Sequence, residues 1–277
     1  MIRVGDVDLC VEPFGTPGNP AVLLIMGAAA SMLWWDDELC ERIAARDRFV
    51  IRYDLRDTGR STWYPPGEPA YSFTDLANDA VGILDALDVS RAHVVCRSWS
   101  GGVGLILAVD HRDRVASVVF ESSTTGADGL PPPSPELAAD RIPSADAGDP
   151  DAVIRFVVAS ARAIAGGSPY FDEDATRAMV ERDVARTGNL ASMLTNHYAI
   201  DFDGPCRGGF ADITVPTLVV HGDLDPLLPL AHGEALRDAI PGARLLVLHG
   251  AGHDLPRPLW DEFVGELIRH SDQEQLG

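Results

Sequence analysis

The sequence predicts an α/β fold: a mostly parallel central sheet with helices on both faces and an inserted helical cap. Two observations predict it. Short, near-continuous apolar runs alternate with longer amphipathic stretches, the signature of strands buried on both faces between crossover helices. That alternation breaks between residues 123 and 212, where Pro131, Pro132, Pro133 and Pro135 are followed by helical patterns and no strongly buried strand is evident. The expected division is a core domain of residues 1–122 and 213–277, with 123–212 as a helical cap insertion.

The elements justify this in order. Residues 7–12 read as an early strand. The run from Ala21 to Met26 and the run from Arg48 to Tyr53 have the apolar continuity of buried strands. From Ser72 to Leu87, polar residues come first, and then Leu76, Ala80, Ile83, Leu84 and Leu87 fall at helical spacing. Ala92 to Cys96 is a strand, Gly101 to His111 a helix, and Val115 to Phe120 another strand. Within the insertion, 151–165 and 174–194 read as helical. The rhythm resumes at Val215 to His221, Ala231 to Ile240 and Arg244 to His249, and ends in a helix from about Leu259 to His270.

The composition bounds the function. At 277 residues the chain needs no covalent staples for its core. Asp and Glu outnumber basic residues 42 to 22 for a formal net charge of −20, and every basic residue is arginine. Such a surface repels phosphate backbones and anionic bilayers, so neither nucleic acid nor a membrane is an expected partner. Cys10, Cys40, Cys96 and Cys206 lack metal-ligand or redox spacing and read as reduced thiols of a cytoplasmic protein. The N-terminus lacks a long apolar segment of the secretory kind.

The chemistry is carried by the segment Ala92 to Gly102. A strand runs into Ser98, and a glycine-rich helix start follows at once, the order needed to thrust a hydroxyl out of a sharp strand-to-helix turn. Cys96 and Ser100 stand two before and two after Ser98, where glycine is usual; both are small enough for the turn. Ser98 is thus the candidate nucleophile. Asp225 and His253 each follow a later strand and complete the order serine, acid, histidine. Rivals are present. His221 and His249 read as structural, Asp223 as a loop brace, and Glu121 as a second possible acid; Asp254 is expected to be solvated. The backbone N–H groups of Ala28, in the loop after the strand ending at Met26, and of Trp99 are the expected oxyanion donors.

These motifs, together with Arg56-Asp57-Thr58-Gly59-Arg60-Ser61, Val215-Pro216-Thr217-Leu218, Asp225-Pro226 and Gly252-His253, resemble the α/β-hydrolase superfamily. Within it the chain is most similar to the aclacinomycin methylesterase group. That resemblance implies hydrolysis of esters of aromatic polyketides with no metal or organic cofactor, and a turn at residues 56–61 that shapes the floor of the site. A small-molecule substrate is therefore the expected partner. Candidate substrate contacts are Trp34, Trp35, Arg97, Phe120, His197 and Tyr198, with Trp63 and Tyr64 nearby. Arg97 has two readings, a structural bridge to an acid such as Glu121 or a contact to an anionic substrate group. The altered residues around Ser98 leave room for a second activity, a lyase, decarboxylase, cyclase or C–C bond hydrolase on the same fold. A ligand-binding pseudo-enzyme is a third, disfavoured by the intact serine, acid and histidine.

Overall fold

The computed structural model describes residues 1–135, 137, 145–200 and 207–272. Cys206 and the last five residues of the core division lie outside them, as does part of the 123–212 segment. Seven strands form the main sheet: β3 (Val11–Phe14), β4 (Ala21–Ile25), β5 (Phe49–Tyr53), β6 (Ala92–Arg97), β7 (Val115–Glu121), β8 (Thr217–Gly222) and β9 (Arg244–Leu248). Their order is β3-β5-β4-β6-β7-β8-β9. Only β3 is antiparallel; it pairs with β5, while the other neighbours run parallel.

The single early strand expected over 7–12 is two strands. Val7–Leu9 (β2) pairs antiparallel with Ile2–Val4 (β1) in a separate hairpin, and the chain crosses to the main sheet at Val11.

Side chains that alternate along each strand divide the core between the two faces. Leu23, Ile25, Ile51, Val94, Cys96, Val118 and Phe120 pack with α2 (Phe73–Ala86), α3 (Gly101–Asp110) and α7 (Ala231–Ala239). Val22, Leu24, Val50, Val95, Val119 and Val220 face α1 (Asp37–Ala44) and α8 (Trp260–Asp272) on the other side. Helix α2 starts where the polar residues stand, with Ser72 and Asp75 forming a reciprocal capping box.

Between β7 and β8 the described elements are helical: α4 (Pro150–Ile164), α5 (Glu173–Arg186) and α6 (Leu190–Thr195), followed by a 3-10 turn at Asn196–Ala199. Asp149, Asp172 and Asn189 cap the three helices through their side chains, and Pro150 occupies the first helical position of α4. The stretch that reads as helical over 174–194 is two helices, parted at Thr187–Asn189. Val153, Val158, Val180, Val184 and Met193 form a small apolar cluster of their own, separate from the two cores against the sheet. No helix among the described residues is long and apolar enough to cross a membrane.

Candidate active site

Strand β6 ends at Arg97, and Ser98 follows at φ 54°, a left-handed backbone angle that a non-glycine residue adopts only under constraint. Several contacts impose it. Ser123 Oγ donates to the Ser98 carbonyl at 2.8 Å. Gly27 lies so close that a Cβ there would sit 3.2 Å from the Arg97 oxygen and 3.3 Å from Ser98 Cβ. Ser100 Oγ donates to the carbonyls of Arg97 at 2.9 Å and Ile25 at 3.1 Å, which ties the turn to β4. Cys96 is wholly buried, and a Cβ on Gly104 would lie 2.7 Å from its sulfur. The two residues that depart from glycine thus pack into the fold, away from the space above Ser98.

Ser98 Oγ lies 2.8 Å from His253 Nε2, and His253 Nδ1 lies 2.7 Å from Asp225 Oδ2. The second Asp225 oxygen accepts from the backbone N–H groups of Leu227 and Leu228, both at 2.9 Å. This fixes the carboxylate on its loop and leaves Oδ2 for the imidazole. The His253 N–H donates to the carbonyl of Ile164 at the end of α4, at 2.9 Å. The rivals make other contacts, although His221 Nε2 also stands 3.5 Å from Asp225 Oδ2. His221 Nε2 donates to the Leu228 carbonyl at 2.7 Å, and burial holds its pKa below the usual histidine value. His249 and the Gly250 N–H both bind Asp223, at 2.8 and 2.7 Å, bracing the turn after β9.

Glu121 pairs with Arg97 Nε at 2.9 Å, both side chains being buried. Burial pushes the Glu121 carboxyl upward, against the pull of the Arg97 guanidinium. Arg97 also donates to the His253 carbonyl at 3.2 Å. It therefore acts as the structural bridge of its two readings while forming part of the cavity wall. Asp254 departs from expectation: it is half-buried, its Oδ1 is shielded from solvent, and burial raises its pKa. The turn after β9 directs His253 toward Ser98 and folds Asp254 in beside it, against the cavity wall.

The loop after β4 is tied to the helices between β7 and β8. Asp183 on α5 accepts from the Ser31 N–H at 3.5 Å and from Trp34 Nε1 at 3.2 Å. Arg186 on α5 pairs with Asp54 at 2.8 Å, and Asp54 in turn accepts from the Met32 N–H at 3.0 Å. The Ala29 N–H donates to His197 Nδ1 at 3.1 Å.

Ser98 and His253 open into a cavity of about 430 Å³. Its wall includes Ala28, Trp34, Trp99, Tyr198 and, from α4, Phe156 and Ile164. A larger groove of about 1020 Å³ lies behind the Asp225 loop and includes neither Ser98 nor His253 in its wall.

Three expected substrate contacts need correction. Trp35 and Phe120 are both 0% exposed. Trp35 packs in the core under the Arg97 guanidinium, and Phe120 packs in the core facing α3. Alternation along β7 turns Phe120 into the sheet face and away from the strand-end opening. His197 is buried behind Trp99, with its ring stacked on the indole at 4.7 Å and 10°. Trp63 is exposed, and Tyr64 packs at a tilt against Tyr71; neither lines the cavity. The α4 face that lines the cavity (Phe156, Val157, Ser160, Ala161, Ile164) carries no distinct mark in the sequence. It shows apolar and small residues at helical spacing, and that pattern does not distinguish a cavity wall from a core.

A strand-to-helix serine turn, a histidine and an acid beyond successive parallel strands, and a cavity over them define a hydrolase of the α/β class. The chain belongs to the α/β hydrolase fold family, whose model matches residues 20–256. It is 33% identical to a rhodomycin D methylesterase of Streptomyces sp. (strain C5), over 98% of this chain and 97% of that protein. It is 30% identical to the rhodomycin D methylesterase of Streptomyces peucetius, with the same coverage. Among solved structures, the esterase RhEst1 from Rhodococcus sp. ECU1013 superposes with a TM-score of 0.76 at 22% identity, over 98% of this chain and 97% of that one.

Proposed function

We propose that this hydrolase cleaves the carboxylic ester, and specifically the methyl ester, of a bulky, largely apolar small molecule through an acyl-enzyme on Ser98. The observation that carries the reading is the unbroken hydrogen-bonded line from Ser98 through His253 to Asp225, at 2.8 and 2.7 Å. Neutral His253 Nε2 takes the hydroxyl proton as Ser98 Oγ bonds to the ester carbon, and the carbonyl electron pair moves onto oxygen. Asp225 Oδ2 accepts a hydrogen bond from Nδ1–H and, remaining ionised, stabilises the imidazolium. The N–H groups of Ala28 and Trp99 receive the oxyanion, where one such donor is typically worth about 3–4 kcal/mol. Collapse breaks the bond to the alkoxy oxygen, which leaves as methanol with the proton from His253. Water, deprotonated by the same imidazole, then cleaves the acyl-enzyme to the free acid and restores Ser98.

The substrate class rests on two supports. The cavity wall is mainly apolar, with Trp34, Trp99 and Phe156 offering ring surfaces, and its volume suits a ring-bearing molecule. The two relatives matched over nearly their whole length carry methylesterase names. An aromatic polyketide ester follows from that likeness. We further propose that residues 123–212 act as the cap that shapes this cavity, supported by the α4 side chains in its wall.

The test is labelling with a fluorophosphonate, followed by peptide mapping, alongside a panel of methyl esters graded from acetate to multi-ring acids. Label on Ser98, its loss in Ser98→Ala and a preference for ring-bearing esters are expected. Label on another residue, or full turnover by Ser98→Ala, overturns the assignment. Conversion of a ring-bearing substrate with no methanol released replaces ester hydrolysis with lyase or decarboxylase chemistry.

A further inference from the structure

We propose that His197, reaching in from the insertion, is a positioning residue that holds both halves of the oxyanion hole in register. The inference rests on the assignment of Ala28 and Trp99 as oxyanion donors. His197 touches the two segments that carry them. Its Nδ1 accepts the Ala29 N–H at 3.1 Å, and its ring lies flat on the Trp99 indole at 4.7 Å between centroids. The Ala29 N–H belongs to the peptide plane that immediately follows Ala28, so this hydrogen bond sets the tilt of the loop at Ala28. Ala29 sits at φ 57°, a left-handed conformation that an alanine keeps only where its surroundings hold it. The indole also packs at a tilt against Phe73, whose centroid lies 4.4 Å away.

The imidazole itself has one available tautomer. Its Nε2 lies 2.8 Å from the Arg56 carbonyl, which can only accept, so Nε2 carries the hydrogen. Nδ1 then has a lone pair, which the Ala29 N–H requires. Arg56 is clamped by both oxygens of Asp79, at 2.7 and 2.8 Å, so the carbonyl that orients the ring is held in turn. The ring is buried, and burial keeps it neutral by lowering its pKa. A side chain of the insertion is thereby coupled to the geometry of transition-state binding without lining the cavity.

The experiment compares His197→Phe, which keeps a stacked ring but has no acceptor for Ala29, with His197→Asn, whose Oδ1 can restore that acceptor. Steady-state kinetics on a p-nitrophenyl ester are measured with the affinity for an arylboronic acid, which forms a tetrahedral adduct on the serine. His197→Phe is expected to lower kcat by about 10- to 100-fold, somewhat less than loss of an oxyanion donor, with KM changed less than about threefold. Boronate affinity should fall in parallel, and His197→Asn should recover most of both losses. A His197→Phe kcat within about twofold of the parent, a loss confined to KM, or an asparagine variant no better than phenylalanine overturns the role. If His197→Phe does not fold, His197→Met takes its place, since its flexible side chain fills the space but supplies only a weak acceptor. Ser98→Ala is measured beside them. An inactive Ser98→Ala with an unaffected His197→Phe rejects the positioning role alone, whereas an active Ser98→Ala rejects the underlying site assignment.

Discussion

The ends of the central strands and the helices between β7 and β8 contribute to the site in different ways. Ser98 follows β6 directly, Asp225 stands three residues past Gly222 at the end of β8, and His253 five past Leu248 at the end of β9. Short connections to paired strands fix these three side chains, and backbone N–H groups brace the Asp225 carboxylate. The helical segment works by reach. Phe156 and Ile164 face the cavity, while Asp183, Arg186 and His197 grip the loops beneath. On the proposed reading the sheet sets the reacting geometry, and the helices shape the chamber and hold the loop after β4. Substitutions at strand ends should therefore appear in kcat, and those on α4 in KM.

The largest expected effect tests which acid belongs to the strand-end set. Asp225→Asn should lower kcat by about 10⁴-fold, because an amide at that place stabilises the wrong imidazole tautomer and leaves the imidazolium unsupported. Glu121→Gln should stay within about threefold in kcat while melting at lower temperature, because it leaves the buried Arg97 without its counter-charge. Steady-state rates with thermal melts of both variants decide it. The reverse pattern would move the acid to β7 and break the division between reacting groups and braces.

A smaller effect is expected from the chamber wall. Phe156→Ala should raise KM for a multi-ring methyl ester by about 5- to 30-fold, the equivalent of about 1–2 kcal/mol of lost apolar contact. Its kcat should change by less than about threefold, and KM for methyl acetate should not move. A fall in kcat for both esters would show that α4 also sets the reacting geometry. The hydrogen bond from His253 to the Ile164 carbonyl is the contact through which it would do so.

How much of this was legible in the sequence follows the same division. Buried parallel strands announce themselves by apolar continuity, and Ser98, Asp225 and His253 are marked by their places just beyond such strands. The hairpin of β1 and β2 was not legible, since three-residue strands leave too little alternation to read. The burial of Phe120 and Trp35 was not legible, since position near a strand end does not say which way a side chain points. His197 meets Ala29 and Trp99, 168 residues away in one case, and no local pattern in the sequence encodes that meeting. The helical pattern of α4 was plain, yet a residue facing a cavity and one facing a core leave the same trace.

The smallest effect concerns acid, and it separates the stability of the sheet from the chemistry at its edge. His93 on β6 and His270 on α8 are both pushed down to about 4, chiefly by burial and secondarily by Arg48 for His93 and Arg244 for His270. Unfolding releases each ring to an ordinary value of about 6.5. Because the folded value is the lower one, the unfolded chain binds more protons below that point, and stability falls as pH drops from about 6.5 toward 4. From pH 7 to pH 6 the loss should be roughly 0.7 kcal/mol for each histidine. Denaturant unfolding at the two pH values measures it. His93→Gln, which can keep a hydrogen bond to Ser117 and does not titrate, should remove about half of the contribution from the pair. An equal pH response in parent and variant would place the acid sensitivity elsewhere, with the buried imidazole of His197 in the helical segment as the next group to replace.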